Sequence, residues 1–88
     1  MKILLSKKKT QEIGERVREV RKALSLGQRE LAKKIGLSQP IISQYELGQT
    51  EVTLSFLEYL NRKHGVSSDW IIFGTGEMNI KTVKKKKG

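Results

Sequence analysis

Apolar side chains recur at Ile13, Val17, Val20 and Leu24, at steps of four, three and four, which a helix of 3.6 residues per turn gathers into one stripe. The spacing predicts a helix over residues 11–25. Thr10 stands as its N-cap, with Glu12 and Glu15 in the first turns and Arg21 and Lys22 toward the end, an order that suits the helix dipole. A second, short helix over 28–35 places Leu31, Ala32 and Ile35 on one face; Gly27 opens it and Gly36 closes it as a left-handed cap. Ser38 caps a third, Gln39 to Leu47, in which Pro40 falls in the first turn, where a missing N–H costs nothing. Its Ile42 and Tyr45 turn to the core, which leaves Gln39, Ile41, Ser43 and Gln44 pointing elsewhere. After Gly48, Thr53 caps a fourth helix to His64 with Leu54, Leu57 and Leu60 inward and Gly65 as the stop. Ser67 or Ser68 caps a last short helix through Asp69, Trp70, Ile71, Ile72 and Phe73, ended by Gly74. No segment alternates with a period of two, so the expected fold class is all-α with five short helices.

Composition narrows this picture. With 88 residues, 36% of them hydrophobic, and no cysteine, the chain makes one small domain whose core must come from helix packing rather than disulfides or thiolate metal sites. So thin a core favours dimerisation. The longest apolar runs, Ile3-Leu4-Leu5 and Trp70-Ile71-Ile72-Phe73, fall far short of a membrane span or a signal peptide. A soluble cytoplasmic protein without a membrane partner is expected.

Eighteen Lys and Arg against nine Asp and Glu give a formal charge of +9, which points to a polyanionic partner. Its distribution changes that meaning. Lys2, Lys7, Lys8 and Lys9 supply +4 before Thr10, and Lys81, Lys84, Lys85, Lys86 and Lys87 supply +5 after Ile80. Between them nine basic residues face nine acidic ones, so the body is formally neutral. The expected organisation is a flexible basic N-terminal arm at 1–9, a folded domain at 10–76 and a flexible basic C-terminal tail at 77–88. Two readings of the lysine runs stand: solvated ends that aid solubility, or arms that follow a nucleic-acid backbone.

The second and third helices, joined by the three-residue turn Gly36-Leu37-Ser38, have the layout of a helix-turn-helix. The run QRELAKKIGLSQPIISQYELG resembles the helix-turn-helix of phage repressor and Cro-type regulators, and the resemblance extends over roughly residues 11–76. Gln28, Ala32, Gly36, Ile42, Glu46 and Gly48 are in register with that pattern. Ala32 is small where the two helices cross, Gly36 permits the tight turn, and Ile42 plugs the core between them. The segment DWIIFGTGEM is similar to the one that closes many such domains. The resemblance implies a five-helix lambda-repressor-like DNA-binding domain with double-stranded DNA as its partner. It also implies a transcriptional regulator, a repressor acting as a homodimer on a palindromic operator, with the third helix in the major groove.

Residue by residue, Gln39 and Gln44 match base-reading positions, and glutamine can bond adenine N6 and N7 together. Ser43 and Ile41 are adjacent candidates, Ile41 through a thymine methyl. Gln28 opens the second helix, where free N–H groups and the helix dipole favour a phosphate. Arg29, Lys33 and Lys34 are further phosphate candidates, with a solvated face the equal alternative for Lys33 and Lys34. Arg21 and Glu46 match positions that form a structural ion pair.

Three departures from the pattern matter. Pro40 replaces a polar residue that often reads a base. The loop Gln49-Thr50-Glu51-Val52 carries no base, which leaves Thr50 and backbone N–H groups to meet phosphates. Asn61 and His64 stand where small or apolar residues are usual.

No Cys, second His or acid cluster supports His64 as a metal ligand or catalytic base, and no nucleophile–base or carboxylate pair stands out. Neither catalysis nor a metal or cofactor is expected. Phe56, Tyr59, Trp70 and Phe73 belong to the core or to a dimer surface on helices four and five. Two other readings share these features: an antitoxin-type DNA-binding protein with a toxin partner, and a protein-interaction module with a vestigial helix-turn-helix.

Overall fold

The computed structural model describes residues 5–80; residues 1–4 and 81–88, with Lys2 and the C-terminal lysine run, lie outside the described residues. Five helices follow one another: α1 (Lys7–Ala23), α2 (Gln28–Ile35), α3 (Gln39–Leu47), α4 (Leu54–His64) and α5 (Ser68–Phe73). No strand occurs among the described residues, and no helix there is long and apolar enough to cross a membrane.

The first helix begins a turn earlier than its apolar stripe. Ser6, not Thr10, is the N-cap, and its hydroxyl oxygen accepts the Lys9 N–H at 3.1 Å. Thr10 is instead buried and turns its hydroxyl back to the Ser6 carbonyl at 2.9 Å. The basic arm expected at 1–9 is thereby shortened, because Lys7, Lys8 and Lys9 form the first turn. No acid lies in that turn, so Glu12 and Glu15 sit beyond the reach of the dipole's positive end. At the other end α1 stops at Ala23, two residues short of the expectation, because Ser25 takes a left-handed φ of 61° that no helix continues through.

The core gathers Val17 and Val20 from α1, Leu31 from α2, Ile42 from α3, Phe56 and Leu60 from α4, and Ile71 from α5, each with almost no exposure. Burying each such side chain stabilises the fold by about 1.5–3 kcal/mol before entropy is charged against it. The stripe of α4 differs from the expected one. Leu57 and Leu60 are buried, but Leu54 is 83% exposed and Phe56 takes the inward place. At 100° per residue Phe56, Leu60 and Leu57 share one arc, and Leu54 lies roughly 115° from its centre.

Four contacts hold α1 against its neighbours. Gly14 lets the backbone of α1 reach the last turn of α3, and Gly48, with φ +75°, brings the end of α3 onto Gln11. Arg16 Nη1 donates to the Ile71 carbonyl of α5 at 2.9 Å. The Lys9 ammonium sits 5.4 Å from the centre of the Phe73 ring.

Serine and threonine caps organise the rest. Thr53 accepts from Phe56 N–H and Ser67 from Trp70 N–H, each at 3.1 Å, so Ser67 rather than Ser68 caps α5. Asn61 Nδ2 donates to the Val66 carbonyl at 2.9 Å and closes the α4 end. Beyond α5 the chain returns: Ser67 N–H donates to the Met78 carbonyl at 2.9 Å, and Met78 and Ile80 lie partly buried against the core. The folded body therefore reaches Ile80, past the boundary expected at 76, because two apolar side chains there still have a surface to cover.

Candidate nucleic-acid interface

The turn between α2 and α3 depends on Gly36, whose φ of +87° is open to glycine at little cost. With Gly36 in that conformation, both its N–H and that of Leu37 return to the Ala32 carbonyl, at 2.9 and 2.8 Å. α3 then leaves at once from Ser38. Ser38 occupies the N-cap position by its backbone, but its hydroxyl makes no capping bond, contrary to the expectation. The α2 start is also without a side-chain cap, since Gly27 has none to offer; Glu30 reaches back to the Gly27 N–H at 2.7 Å instead.

Ile42 and Tyr45 bury one side of α3, with Tyr45 edge-on to Phe56 at 4.9 Å between ring centres. Gln39, Ile41, Ser43 and Gln44 all remain partly exposed. A short apolar anchor thus fixes the helix while its other side chains stay accessible.

A polar chain runs beneath that surface. Glu46 is buried to 8% exposure near the end of α3, where its carboxylate takes both Nε and Nη2 of Arg21. Arg21 also donates Nη1 to the Leu26 carbonyl at 2.9 Å, so it joins α1, the loop before α2, and α3. The hydrogen bond to Glu46 holds the Arg21 guanidinium above its already high pKa, against the opposing effect of burial. Glu46 Oε1 further accepts from Gln28 Nε2 at 3.0 Å, and Gln28 Oε1 in turn accepts from Gln39 Nε2 at 2.7 Å. Arg21, Glu46, Gln28 and Gln39 therefore form one connected series. The links through Gln28 have no counterpart in the expectation for either glutamine, because 11 and 18 residues of chain separate the partners.

Arg29, Lys33 and Lys34 are exposed. In the loop after α3, Thr50 donates its hydroxyl to Gln44 Oε1 at 3.3 Å, and Glu51 accepts the Leu5 N–H at 3.0 Å. Thr50 is thus tied to a neighbouring glutamine, while Glu51 turns toward the start of the chain.

His64 belongs to none of this. It lies edge-on to Tyr59 at 5.7 Å, and its Nε2 is buried without a hydrogen-bond partner. Burial, then the charges of Lys34 and Lys63, push its pKa below the ordinary imidazole value. No group of three metal-ligating side chains occurs among the described residues.

Gly14 is the positioning residue that the sequence reading passed over. A glycine in the middle of an amphipathic helix costs about 1 kcal/mol against alanine, and that unexplained cost was its signal.

Two helices set at an angle by a left-handed glycine, one buried by its apolar side and open on its polar side, define a helix-turn-helix protein. The chain belongs to the helix-turn-helix family, whose profile matches residues 17–71. Over 62 residues it is 44% identical to the HTH-type transcriptional regulator DicA of Escherichia coli (strain K12), covering 70% of this chain and 46% of that protein. Over 65 residues it is 38% identical to Repressor protein C2 of Salmonella phage P22, covering 74% of this chain and 30% of that protein. The matched region spans less than half the length of either relative.

Proposed function

We propose that the protein is a sequence-specific regulator of transcription that binds double-stranded DNA through α3, acting as a repressor in the form of a homodimer on a palindromic operator. The observation that carries this reading is the hold on Gln39. Its carboxamide lies at the first position of α3, fixed by Gln28 yet partly exposed, where a recognition helix meets base edges. A glutamine held in place loses less rotamer entropy on reaching a base than a free one. Two relatives named as a transcriptional regulator and a repressor support the same reading.

In this reading Gln39 and Gln44 bond adenine edges, with Ser43 and Ile41 beside them, Ile41 on a thymine methyl. The uncapped N–H groups at the start of α2, together with Gln28 and Arg29, take a phosphate, and Lys33, Lys34 and Thr50 add backbone contacts. The Arg21–Glu46 pair holds α1 and α3 in register. Leu54 on α4 and Phe73 on α5, 83% and 62% exposed, supply apolar surface for the homodimer. One recognition helix reads only a few base pairs, and two half-sites multiply the discrimination.

Selection of bound sequences from random duplex DNA tests this, followed by a salt series on the selected duplex. A palindromic consensus is expected. Failure to enrich any sequence would remove specific DNA binding from consideration.

A further inference from the structure

We propose that Glu46, which need not touch DNA, sets the base preference of α3 by fixing which end of each amide points outward along the Glu46–Gln28–Gln39 series. The proposal rests on the reading above in which Gln39 meets a base edge.

An ionised carboxylate only accepts hydrogen bonds, and a carboxamide has one end that donates and one that accepts. Arg21, which only donates, occupies both oxygens of Glu46. The amide end that Gln28 turns to this carboxylate must therefore be its nitrogen, as found at 3.0 Å. That leaves Gln28 Oε1 for Gln39, which must answer with its own nitrogen, as found at 2.7 Å. One N–H of Gln39 is spent in this bond. The other N–H and the carbonyl oxygen remain, a donor beside an acceptor. Adenine presents the complementary pair in the major groove, N7 as acceptor and N6 as donor.

Glu46→Leu removes the acceptor that sets this direction: Glu46 Oε1 takes both Gln28 Nε2 and Arg21 Nη2, and without it either end of the Gln28 amide can face inward. When Gln28 turns Oε1 inward and Nε2 to Gln39, Gln39 accepts through its oxygen and keeps two N–H donors facing out. Guanine, with N7 and O6 both acceptors, fits that second arrangement and adenine the first, so the variant no longer separates them. A residue that merely braces α1 against α3 would weaken binding to all sequences alike. A residue that orients amides changes the preference at one base pair of each half-site.

The experiment is selection from random duplex DNA with the wild-type chain, Glu46→Leu and Gln28→Met, with thermal unfolding of each. For the wild type one half-site position is expected to prefer A·T, and Gln39→Ala identifies that position by abolishing its preference. In Glu46→Leu the A·T preference at the same position falls by about tenfold or more, while the positions read by Gln44 stay as they were. Gln28→Met, at a partly exposed position, likewise frees the Gln39 amide to turn and flattens the A·T preference there. If Glu46→Leu does not fold, Gln28→Met decides alone: an unchanged consensus with uniformly weaker binding overturns the proposal. An unaltered consensus in a folded Glu46→Leu overturns it equally. If the wild type itself selects no sequence, the DNA reading falls and this proposal with it, whereas a wild-type consensus kept by both variants removes the proposal alone.

Discussion

The Cβ that Gly14 lacks would fall 2.7 Å from the carbonyl oxygen of Glu46, and closer still to that of Tyr45. α1 and α3 thus meet backbone to backbone, and no change of rotamer can make room there. Gly14→Ala is expected to destabilise the protein by about 3 kcal/mol, at the upper end for overpacking, despite the gain in helix propensity. For a domain of this size that lowers Tm by roughly 12–24 °C, which a thermal melt reads directly. An unchanged Tm would show that the two helices can separate at this point without cost.

The position of His64 sets a pH dependence. Its folded pKa lies below the ordinary value, so in the interval between the two the unfolded chain binds the proton more readily. Stability attributable to this group is intact above about pH 6.5, falls as the pH drops through that value, and levels off below the folded pKa. Urea denaturation at pH 7.5 and at pH 5.5 compares the two regimes. His64→Leu is expected to shrink the difference between them; a difference that survives in full would assign it to other groups.

Removal of either reading glutamine should act on selectivity. Gln39→Ala and Gln44→Ala are each expected to weaken binding to the selected duplex by about 1–3 kcal/mol and to relax one half-site position, with little change in Tm. Titration against the selected duplex and against single-base variants separates the two positions. Because Gln44 is also bonded by Thr50, Thr50→Val should reproduce part of the Gln44 effect.

Arg29 should act on charge instead. Arg29→Ala is expected to weaken binding to all duplexes about equally and to reduce the slope of log K against log salt by roughly 0.9. A slope equal to that of the wild type would place Arg29 away from the phosphates.

Leu54 at the head of α4 tests the association of two copies. Leu54→Asp is expected to leave the stability within about 0.5 kcal/mol of the wild type at low protein concentration, since the side chain touches little of its own core. Sedimentation should show the variant shifted toward monomer. A variant that associates as strongly as the wild type would move the dimer surface off this face.

The helices were legible because each has both a stripe and a stop. Gly36, Gly48, Gly65 and Gly74 all adopt the left-handed conformation at helix ends, where the spacing had set them. The first turn of α1 was not legible for the converse reason: Lys7, Lys8 and Lys9 add a turn with no apolar side chain and with charge of the unfavourable sign, so pattern and dipole both argue against it. Tertiary contacts overrode them, with Lys9 over the Phe73 ring and Thr10 buried. Leu54 lies off the buried face although three leucines at steps of three imitate a stripe, because Phe56, Leu57 and Leu60 hold the arc that meets the core.

At the candidate site, the pairing of Arg21 with Glu46 was an expectation of the family resemblance and is present in the geometry. The bonds from Glu46 to Gln28 and on to Gln39 were not legible. A glutamine in a sequence shows that an amide is available; only the fold shows which neighbour has already engaged it.

Pro40 bears on dehydration. Entering a groove strips water from the first turn of a helix, and each N–H left there without a partner costs about 1–3 kcal/mol. Pro40 has no N–H, so one of those penalties is absent from α3. The Ser38 hydroxyl, uncommitted to a cap, remains free to bond whatever replaces the water. In the proposed reading, the residue that stands where a polar contact with a base is expected thus also makes this end of the helix easier to dry.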